Sequence, residues 1–235
     1  MRDAAAFAGL HVLADDDARW PLDPVAQARA ACAGGARVVQ LRAKRATDAT
    51  ALAWAREIRA LARARGVAFV VNDRVDLALL ADADGVHLGQ DDVPPGALPG
   101  DVRARLAIGR STHSPAQARA ARAEGVDYVA FGPLFDTSTK DTGYAARGLD
   151  ALREIARLAA PLPVVAIGGI GAGNAASSRA AGAAGIAVLS AVAAARDAEA
   201  GARAAGALVR AFESDATAGA SPDARSAPAR GRETP

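Results

Sequence analysis

"VAFVVNDRVDLALLADADGVHLGQDD", residues 67–92, is the stretch that decides the fold of this chain. It starts with an apolar run over 67–72, continues through a short helical pattern over 75–81 and returns to an apolar run over 85–89. Both runs are nearly continuous rather than alternating, which is typical of strands buried on both faces of a parallel sheet. The stretch therefore predicts a strand–helix–strand unit with polar side chains directly after each strand.

The same alternation continues through most of the chain. Strands are predicted over 10–14, 37–42, 67–72, 85–89, 105–111, 127–132, 163–169 and 185–190, and helices over 24–33, 47–65, 75–81, 94–104, 115–124, 149–159, 172–182 and 191–212. Eight such units predict an α/β protein with a single (β/α)8 TIM barrel over 1–212. A doubly wound open sheet is the alternative, but "LHVLADDD" (10–17) lacks the glycine pattern of a dinucleotide site. The small, polar, proline-bearing stretch 213–235 predicts a disordered tail.

Composition narrows the class of protein. No apolar run in the 235 residues approaches the roughly 18–20 residues of a membrane span, and the first residues make a poor signal peptide. The net charge is +2 and no dense basic stripe is present, so neither a membrane nor a nucleic-acid partner is expected. We predict a cytoplasmic enzyme for which a homo-oligomer is possible. The single cysteine, Cys32, excludes an internal disulfide and is expected to be a buried, inert thiol.

Rare residue types mark candidate functional positions in this Ala- and Arg-rich chain. Lys44 and Lys140 are the only lysines among 28 basic residues, and Asn72 and Asn174 are the only asparagines. Lysine and arginine are not interchangeable where a compact point charge is needed. Both lysines follow predicted strands, and Lys140 lies in a hydroxyl-rich cluster, "DTSTKDT" (136–142). These positions predict ligand contacts, with solvated surface charge as the alternative for the lysines.

In such a barrel the active site lies at the carboxyl ends of the strands. Asp73 and Asp92 follow neighbouring predicted strands, which lie about 4.8 Å apart in a sheet. Two converging carboxylates, with no basic residue expected between them, suit Mg²⁺ held partly by substrate phosphates. Asp91 is an alternative ligand to Asp92. A helix cap and a surface acid are the structural alternative for the pair.

Basic side chains and glycine-containing strand ends predict that two anions bind at the mouth of the barrel. Arg42, Lys44 and Lys140 with Mg²⁺ would suit a diphosphate. Gly168-Gly169 and Leu189-Ser190 lie at the ends of the last two predicted strands, where these barrels hold a phosphate with backbone N–H groups. A glycine pair can also serve only a tight turn. Together the two regions predict two phosphorylated substrates joined at the mouth.

The three histidines carry different expectations. His11 is expected in core packing, His87 in a structural hydrogen bond, and His113 in either a ligand contact or a turn. The order of residues forces neither a Ser-His-Asp nor a Cys-His arrangement.

Six motifs in series identify a resemblance. They are "VVQLRAK" (38–44), "VVNDRVDLALLADADGVHLGQDDVP" (70–94), "GRSTHS" (109–114), "DYVAFGPLFDTSTKDTG" (127–143), "PVVAIGGI" (163–170) and "GIAVLSAV" (185–192). The chain resembles the thiamine phosphate synthases, which are (β/α)8 barrels, over residues 10–192. This resemblance implies a transferase of thiamine biosynthesis. It would join a hydroxymethylpyrimidine diphosphate to a thiazole phosphate, giving thiamine phosphate and pyrophosphate.

The resemblance also implies roles for individual residues. Asp73 and Asp92 would hold Mg²⁺, and Lys44, Ser111 and Lys140 are the catalytic candidates. The substrate-binding candidates are Gln40, Arg42, Lys44, Asn72, Ser111, Thr137, Thr139, Lys140, Gly169, Leu189 and Ser190. The implied mechanism is dissociative: pyrophosphate leaves first, the aminopyrimidine stabilises the carbocation, and the thiazole nitrogen captures it.

Some positions depart from the family pattern, and two other functions compete. Ala43 replaces a usual Glu, and Asp136 replaces a usual Pro beside the proposed phosphate loop. The sister family of thiazole tautomerases shares the barrel but carries an acid/base His at the position of Pro133. It also lacks parts of the Mg²⁺–diphosphate set that this chain keeps. A degenerate barrel that only binds a phosphorylated precursor is the third possibility, but it has no use for paired carboxylates.

Overall fold

The fold is a closed barrel of eight parallel strands, as the sequence predicts. The computed structural model describes residues 4–137 and 144–214. The strands follow one another around the barrel in chain order, and the last pairs with the first to close it. The parallel sheet thereby has no free edge, and the carboxyl ends of all eight strands meet at one mouth.

The strands are short and the helices vary in length. The strands are β1 (Gly9–Asp15), β2 (Val38–Arg42), β3 (Ala68–Asn72), β4 (Gly85–Leu88), β5 (Ala107–Thr112), β6 (Tyr128–Phe131), β7 (Val164–Ile167) and β8 (Gly185–Val188). The helices are α1 (Pro24–Ala33), α2 (Asp48–Arg65), α3 (Val75–Leu80), α4 (Gly100–Arg105), α5 (Pro115–Ala123), α6 (Gly148–Ala159), α7 (Ala175–Ala180), α8 (Ser190–Ala193) and α9 (Ala198–Glu213). Short 3-10 helices cover Ala4–Phe7 and Pro95–Ala97.

Local capping explains several of these boundaries. Asp23, Thr47 and Ser114 each accept a hydrogen bond from a backbone N–H in the first turn of α1, α2 and α5. α2 ends at Arg65 and is capped by Gly66, whose φ of +64° suits glycine. The single helix predicted over 191–212 is wrong, because Asp197 accepts from the N–H of Ala200 and starts a separate helix, α9.

Apolar side chains fill the inside of the barrel beneath the mouth. The inner apolar cluster contains Phe7, Leu13, Val38, Val70, Ala107, Tyr128, Val165, Ala187, Leu189 and Ala193. Phe7, from the N-terminal 3-10 helix, stacks on Tyr128 with ring centroids 5.0 Å apart. Phe7 thus fills the bottom of the barrel, a role that was not predicted from the sequence. A separate, larger cluster lies between the strands and the helices and includes Cys32, where burial raises the pKa of the thiol.

We expect Phe7→Ala to destabilise the protein by about 3–5 kcal/mol, because it removes a buried aromatic ring and leaves a cavity under Tyr128. Phe7 is buried, whereas Leu80 is 62% exposed at the end of α3. Leu80→Ala is therefore the control and should change the free energy of unfolding by no more than about 0.5 kcal/mol. Urea unfolding followed by circular dichroism measures both. Equal effects of the two variants would show that Phe7 is not part of the core.

No helix in the described ranges is long and apolar enough to cross a membrane. α9 ends at Glu213, and the tail predicted beyond it lies, from 215 onward, outside the described residues.

Candidate active site

Two adjoining cavities open at the mouth of the barrel, with volumes of about 430 and 530 Å³. Of the predicted site residues, Gln40, Arg42, Lys44, Asn72, Asp73, Asp92 and Ser111 line the first cavity. Ser111, Thr137, Gly169, Leu189 and Ser190 line the second. Ser111 lies in the wall of both. Thr139 and Lys140 lie outside the described residues, so their predicted roles stay predictions.

Asp15 fixes the orientation of Arg42 in the first cavity. β1 and β2 are paired so that these residues are neighbours, and their side chains form an ion pair. Asp15 is 1% exposed, and its carboxylate also accepts hydrogen bonds from the indole N–H of Trp20 (2.8 Å) and the backbone N–H of Asp17 (3.0 Å). Burial opposes its ionisation, but hydrogen bonds from Arg42 and Trp20 hold the pKa of the Asp15 carboxyl below its ordinary value. Arg42 is therefore held by a buried anion.

Gln27 secures the same strand end from α1. Its side chain is fully buried, accepts from the N–H of Asp15 at 2.9 Å and donates to the carbonyl of Asp15 at 2.9 Å. Neither Asp15 nor Gln27 was predicted from the sequence as a site residue. The "DDD" at 15–17 offered a signal for Asp15, but only the strand register shows which of the three acids turns inward.

Asp73 and Asp92 converge on the first cavity, and Lys44 joins them. The ammonium of Lys44 forms an ion pair with Asp73. The expectation of no basic group between the carboxylates is therefore wrong, because the strand order brings the end of β2 beside the end of β3. Burial raises the pKa of Asp92, and the adjacent Asp73 carboxylate contributes to the same shift. The arrangement is an anionic pair partly neutralised by one lysine.

The backbone at Asp73 adopts an unusual conformation. Its φ is +64°, a left-handed conformation that few residues other than glycine adopt, although aspartate tolerates it better than most. Its N–H donates to the carbonyl of His87 at 2.8 Å, which ties the end of β3 to β4. Strain of this kind persists where the surrounding structure enforces it, often at functional sites.

The donor set fits a magnesium ion that is completed by substrate. Within residues 4–137 and 144–214, no group of three or more His, Cys, Asp or Glu side chains forms a metal-binding cluster. Mg²⁺ commonly uses one or two carboxylates and takes its other ligands from water and substrate phosphates. Asp73 and Asp92 supply two such carboxylates. Their negative charges repel each other, and a bound cation or a proton relieves that repulsion.

The floor of the first cavity is formed by two histidines and a tyrosine. Nδ1 of His87 lies 3.0 Å from the hydroxyl of Tyr128, and Nε2 lies 2.9 Å from Oγ of Ser111. The predicted structural hydrogen bond of His87 is thus present. His11 is buried, donates from Nε2 to the carbonyl of Phe7 at 2.8 Å, and has its pKa lowered to about 4 by burial. It is neutral at pH 7 and belongs to the core, as expected.

Close backbone approach shapes the second cavity. Gly169 has a φ of +65°, and a Cβ there would lie 2.5 Å from the carbonyl oxygen of Asp136 and 2.8 Å from Cβ of Phe135. Only glycine fits between the loops after β6 and β7. Asn174 fastens the latter loop, because its side chain accepts from the N–H of Gly171 and donates to the carbonyl of Gly169, both at 2.9 Å. The rarity of asparagine had singled out this residue without predicting the contact.

His113 lies in the wall of the second cavity and supports a turn at the same time. Its Nδ1 donates to the carbonyl of Gly132 at 2.6 Å, and its ring stacks on Tyr144 with centroids 4.3 Å apart. The guanidinium of Arg147 lies over the ring of Tyr144, 5.0 Å from its centroid. These contacts agree with the prediction that His113 supports a turn. Because His113 also lines the second cavity, its alternative role in a ligand contact stays a prediction.

Comparison with known proteins places this geometry in a family. A family model described as thiamine monophosphate synthase matches residues 10–192. The chain is 48% identical over 219 residues to a thiamine-phosphate synthase from Anaeromyxobacter dehalogenans, covering 93% of this chain and 94% of the relative. It is also 48% identical over 180 residues to one from Chloroflexus aurantiacus, covering 77% and 82% respectively.

A solved structure gives the same result. The thiamine phosphate pyrophosphorylase from Pyrococcus furiosus superposes with a TM-score of 0.79 at 36% identity, covering 90% of this chain and 98% of that one. Family model, relatives and structure agree, and the match covers every strand of the barrel from Leu10 onward. The chain belongs to the thiamine monophosphate synthase family, a family of transferases.

Proposed function

We propose that this enzyme condenses 4-amino-2-methyl-5-hydroxymethylpyrimidine diphosphate with a thiazole phosphate, giving thiamine phosphate and pyrophosphate. The observation that carries the proposal is the pair of adjoining cavities that share Ser111. A reaction that joins two substrates needs two sites that open to each other at the reacting atoms. One cavity is lined by cationic and carboxylate groups, and the other by glycine backbone and hydroxyls.

The first cavity suits the pyrimidine diphosphate. Arg42 and Lys44 would bind the diphosphate oxygens, while Gln40 and Asn72 would contact the pyrimidine end. Asp73 and Asp92 would hold Mg²⁺, which, when bound, neutralises the negative charge that builds up on the departing diphosphate. Lys44 would move from Asp73 to the diphosphate when the cation takes its place beside that carboxylate. The ion pair of Lys44 in the structure supports this exchange, because the lysine is already held at the site.

The second cavity suits the thiazole phosphate. Backbone N–H groups of Gly169 and Ile170 and of Leu189 and Ser190 would bind the phosphate with Thr137. Bond cleavage would precede bond formation: the pyrophosphate leaves, the electron-rich aminopyrimidine stabilises the carbocation, and the thiazole nitrogen captures it. The chain would then supply positioning and charge stabilisation rather than a nucleophile. Cytoplasmic localisation and a homo-oligomer stay predictions.

Product analysis tests the proposal against its alternative. The wild-type enzyme with Mg²⁺ and both substrates should form thiamine phosphate, identified by mass, and should form none when either substrate or Mg²⁺ is omitted. Isomerisation of a thiazole phosphate without Mg²⁺ or the pyrimidine diphosphate would favour a tautomerase instead. Pro133, at the position where tautomerases carry their acid/base histidine, favours the synthase.

We expect Asp15→Asn to weaken binding of the pyrimidine diphosphate by about tenfold. Asparagine keeps an oxygen for Trp20 but loses the charge that holds Arg42, and a hydrogen bond to a charged group is worth about 1.5–3 kcal/mol. Calorimetric titration measures the dissociation constant. Asp17→Asn is the control, because Asp17 pairs with Arg45 and lines neither cavity. Equal affinities in wild type and Asp15→Asn would show that Arg42 needs no buried anion.

Asn174→Ala should raise KM for the thiazole phosphate by about tenfold and leave kcat at saturation nearly unchanged. The variant loses both hydrogen bonds that hold the loop 169–171, while the first cavity is untouched. Steady-state kinetics with each substrate varied in turn measures the effect. A rise in KM for the pyrimidine diphosphate instead would reverse our assignment of the two cavities.

A further inference from the structure

A chain of hydrogen bonds runs from the barrel core to the boundary between the two cavities. Tyr128, on β6, is 1% exposed and stacks on Phe7 below it. Its hydroxyl lies 3.0 Å from Nδ1 of His87, and Nε2 of the same ring lies 2.9 Å from Oγ of Ser111. The chain thus ends on the hydroxyl that both cavities share.

The buried hydroxyl of Tyr128 determines which group donates in each of these hydrogen bonds. Among the described residues, His87 Nδ1 is the hydrogen-bond partner of the Tyr128 hydroxyl. A buried hydroxyl hydrogen must find an acceptor, and burial raises the pKa of Tyr128, so the hydrogen is retained. Tyr128 therefore donates to Nδ1, which leaves the proton of the neutral ring on Nε2. Nε2–H then donates to Ser111.

We propose that Tyr128 is a positioning residue that sets the tautomer of His87 and thereby turns the hydroxyl hydrogen of Ser111 toward the cavities. With its oxygen engaged by Nε2–H, Ser111 has its own O–H left to donate to an anionic oxygen of a substrate. The consequence for catalysis rests on the proposed function, because it requires a substrate oxygen beside Ser111. The tautomer itself does not depend on that function.

A glycine makes room for this arrangement. Gly109, on β5, lies beneath the Tyr128–His87 hydrogen bond, and a Cβ there would come within 2.6 Å of His87 Nδ1 and would also collide with the tyrosine ring and hydroxyl. Any other residue at 109 would push the two side chains apart. The φ of Gly109 lies outside the left-handed range, so the requirement is for space rather than for backbone freedom. Glycine at 109 therefore leaves the space in which the Tyr128 ring and the His87 ring meet.

The ¹⁵N NMR signals of the His87 ring test the tautomer directly. In the full-length wild-type protein we expect Nδ1 unprotonated and Nε2 protonated, with the signals assigned by their loss in His87→Gln. In Tyr128→Phe, which keeps the ring but removes the hydroxyl, protonation should shift toward Nδ1. A wild-type ring protonated on Nδ1 would overturn the proposal, as would a Tyr128→Phe ring with an unchanged tautomer.

Kinetics test the consequence for Ser111. Tyr128→Phe should lower kcat/KM for the pyrimidine diphosphate by about tenfold, because His87 Nε2 can then accept from Ser111 and withdraw its hydrogen from the substrate. Tyr144→Phe is the matched control, since Tyr144 is the only other tyrosine and is 43% exposed, and it should retain wild-type kcat/KM. Adding Tyr128→Phe to Ser111→Ala should cause little further loss, because both changes act on one hydroxyl.

The two readouts separate this inference from the proposed function. If His87 carries the expected tautomer but no thiamine phosphate forms, the proposed function fails and the positioning by Tyr128 stands. Product formation with the opposite tautomer would mean that the proposed function stands and the positioning fails. Fully additive losses in Tyr128→Phe and Ser111→Ala would also contradict the positioning, because Tyr128 would then act elsewhere.

Discussion

Asp92→Asn should lower kcat by at least about a hundredfold and raise the Mg²⁺ concentration needed for half-maximal rate. Loss of one group that stabilises transition-state charge typically costs 10²–10³-fold in kcat. Asparagine can still accept the hydrogen bond that Gly89 N–H donates to Asp92 at 2.6 Å, so the loop after β4 should keep its shape. Steady-state kinetics over a range of Mg²⁺ concentrations gives both quantities.

Two further variants sharpen this prediction. Asp101→Asn is the control, because Asp101 is exposed at the start of α4 and lines neither cavity. Asp91→Asn tests the alternative ligand, since Asp91 also lines the first cavity. A larger effect at Asp91 than at Asp92 would transfer the metal-binding role to Asp91. Wild-type Mg²⁺ dependence in both variants would contradict a carboxylate-held cation at this site.

Lys44→Ala should lower kcat by about a hundredfold or more, the second large effect that we expect. Lys44 is paired with Asp73 and lines the first cavity, where we propose that the diphosphate binds. Removing it takes a cation from the departing group and leaves Asp73 without its ion-pair partner. Measured kcat with both substrates saturating isolates this effect from binding.

The conservative variant tests why this position is lysine in an arginine-rich chain. Lys44→Arg should recover only part of the activity, because a planar guanidinium cannot replace a compact ammonium at the same distance from both Asp73 and a phosphate oxygen. Arg45→Ala is the control, since the neighbouring Arg45 pairs with Asp17 and lines neither cavity. Full activity in Lys44→Arg would show that only the charge matters.

The barrel could be read from the sequence because its signal is repeated and local. Continuous apolar runs such as 67–72 mark strands buried on both faces, and capping residues such as Thr47 fix helix starts. The final helical stretch misled the prediction, because its alanine-rich composition hides the break before Asp197. A cap can be recognised in a loop, but it is hard to see within a run of good helix formers.

The candidate site could be predicted only in part. Residues at strand ends, such as Gln40, Asn72 and Ser111, line the cavities because the fold alone places them there. Asp15, Gln27 and Tyr128 were missed, because their roles depend on which side chains meet across neighbouring strands and helices. The Lys44–Asp73 ion pair was missed for the same reason. A contact between two side chains depends on the strand register and on how far each side chain extends across the mouth, and the order of elements along the chain gives neither.

The rate of pyrophosphate release, measured with and without the thiazole phosphate, tests the central claim that two cavities act on two substrates. With Mg²⁺ and both substrates, the wild-type enzyme should release one pyrophosphate for each thiamine phosphate formed. Without the thiazole phosphate, or without Mg²⁺, we expect no release above background. Release at an undiminished rate from the pyrimidine diphosphate alone, or none with both substrates present, would contradict the account.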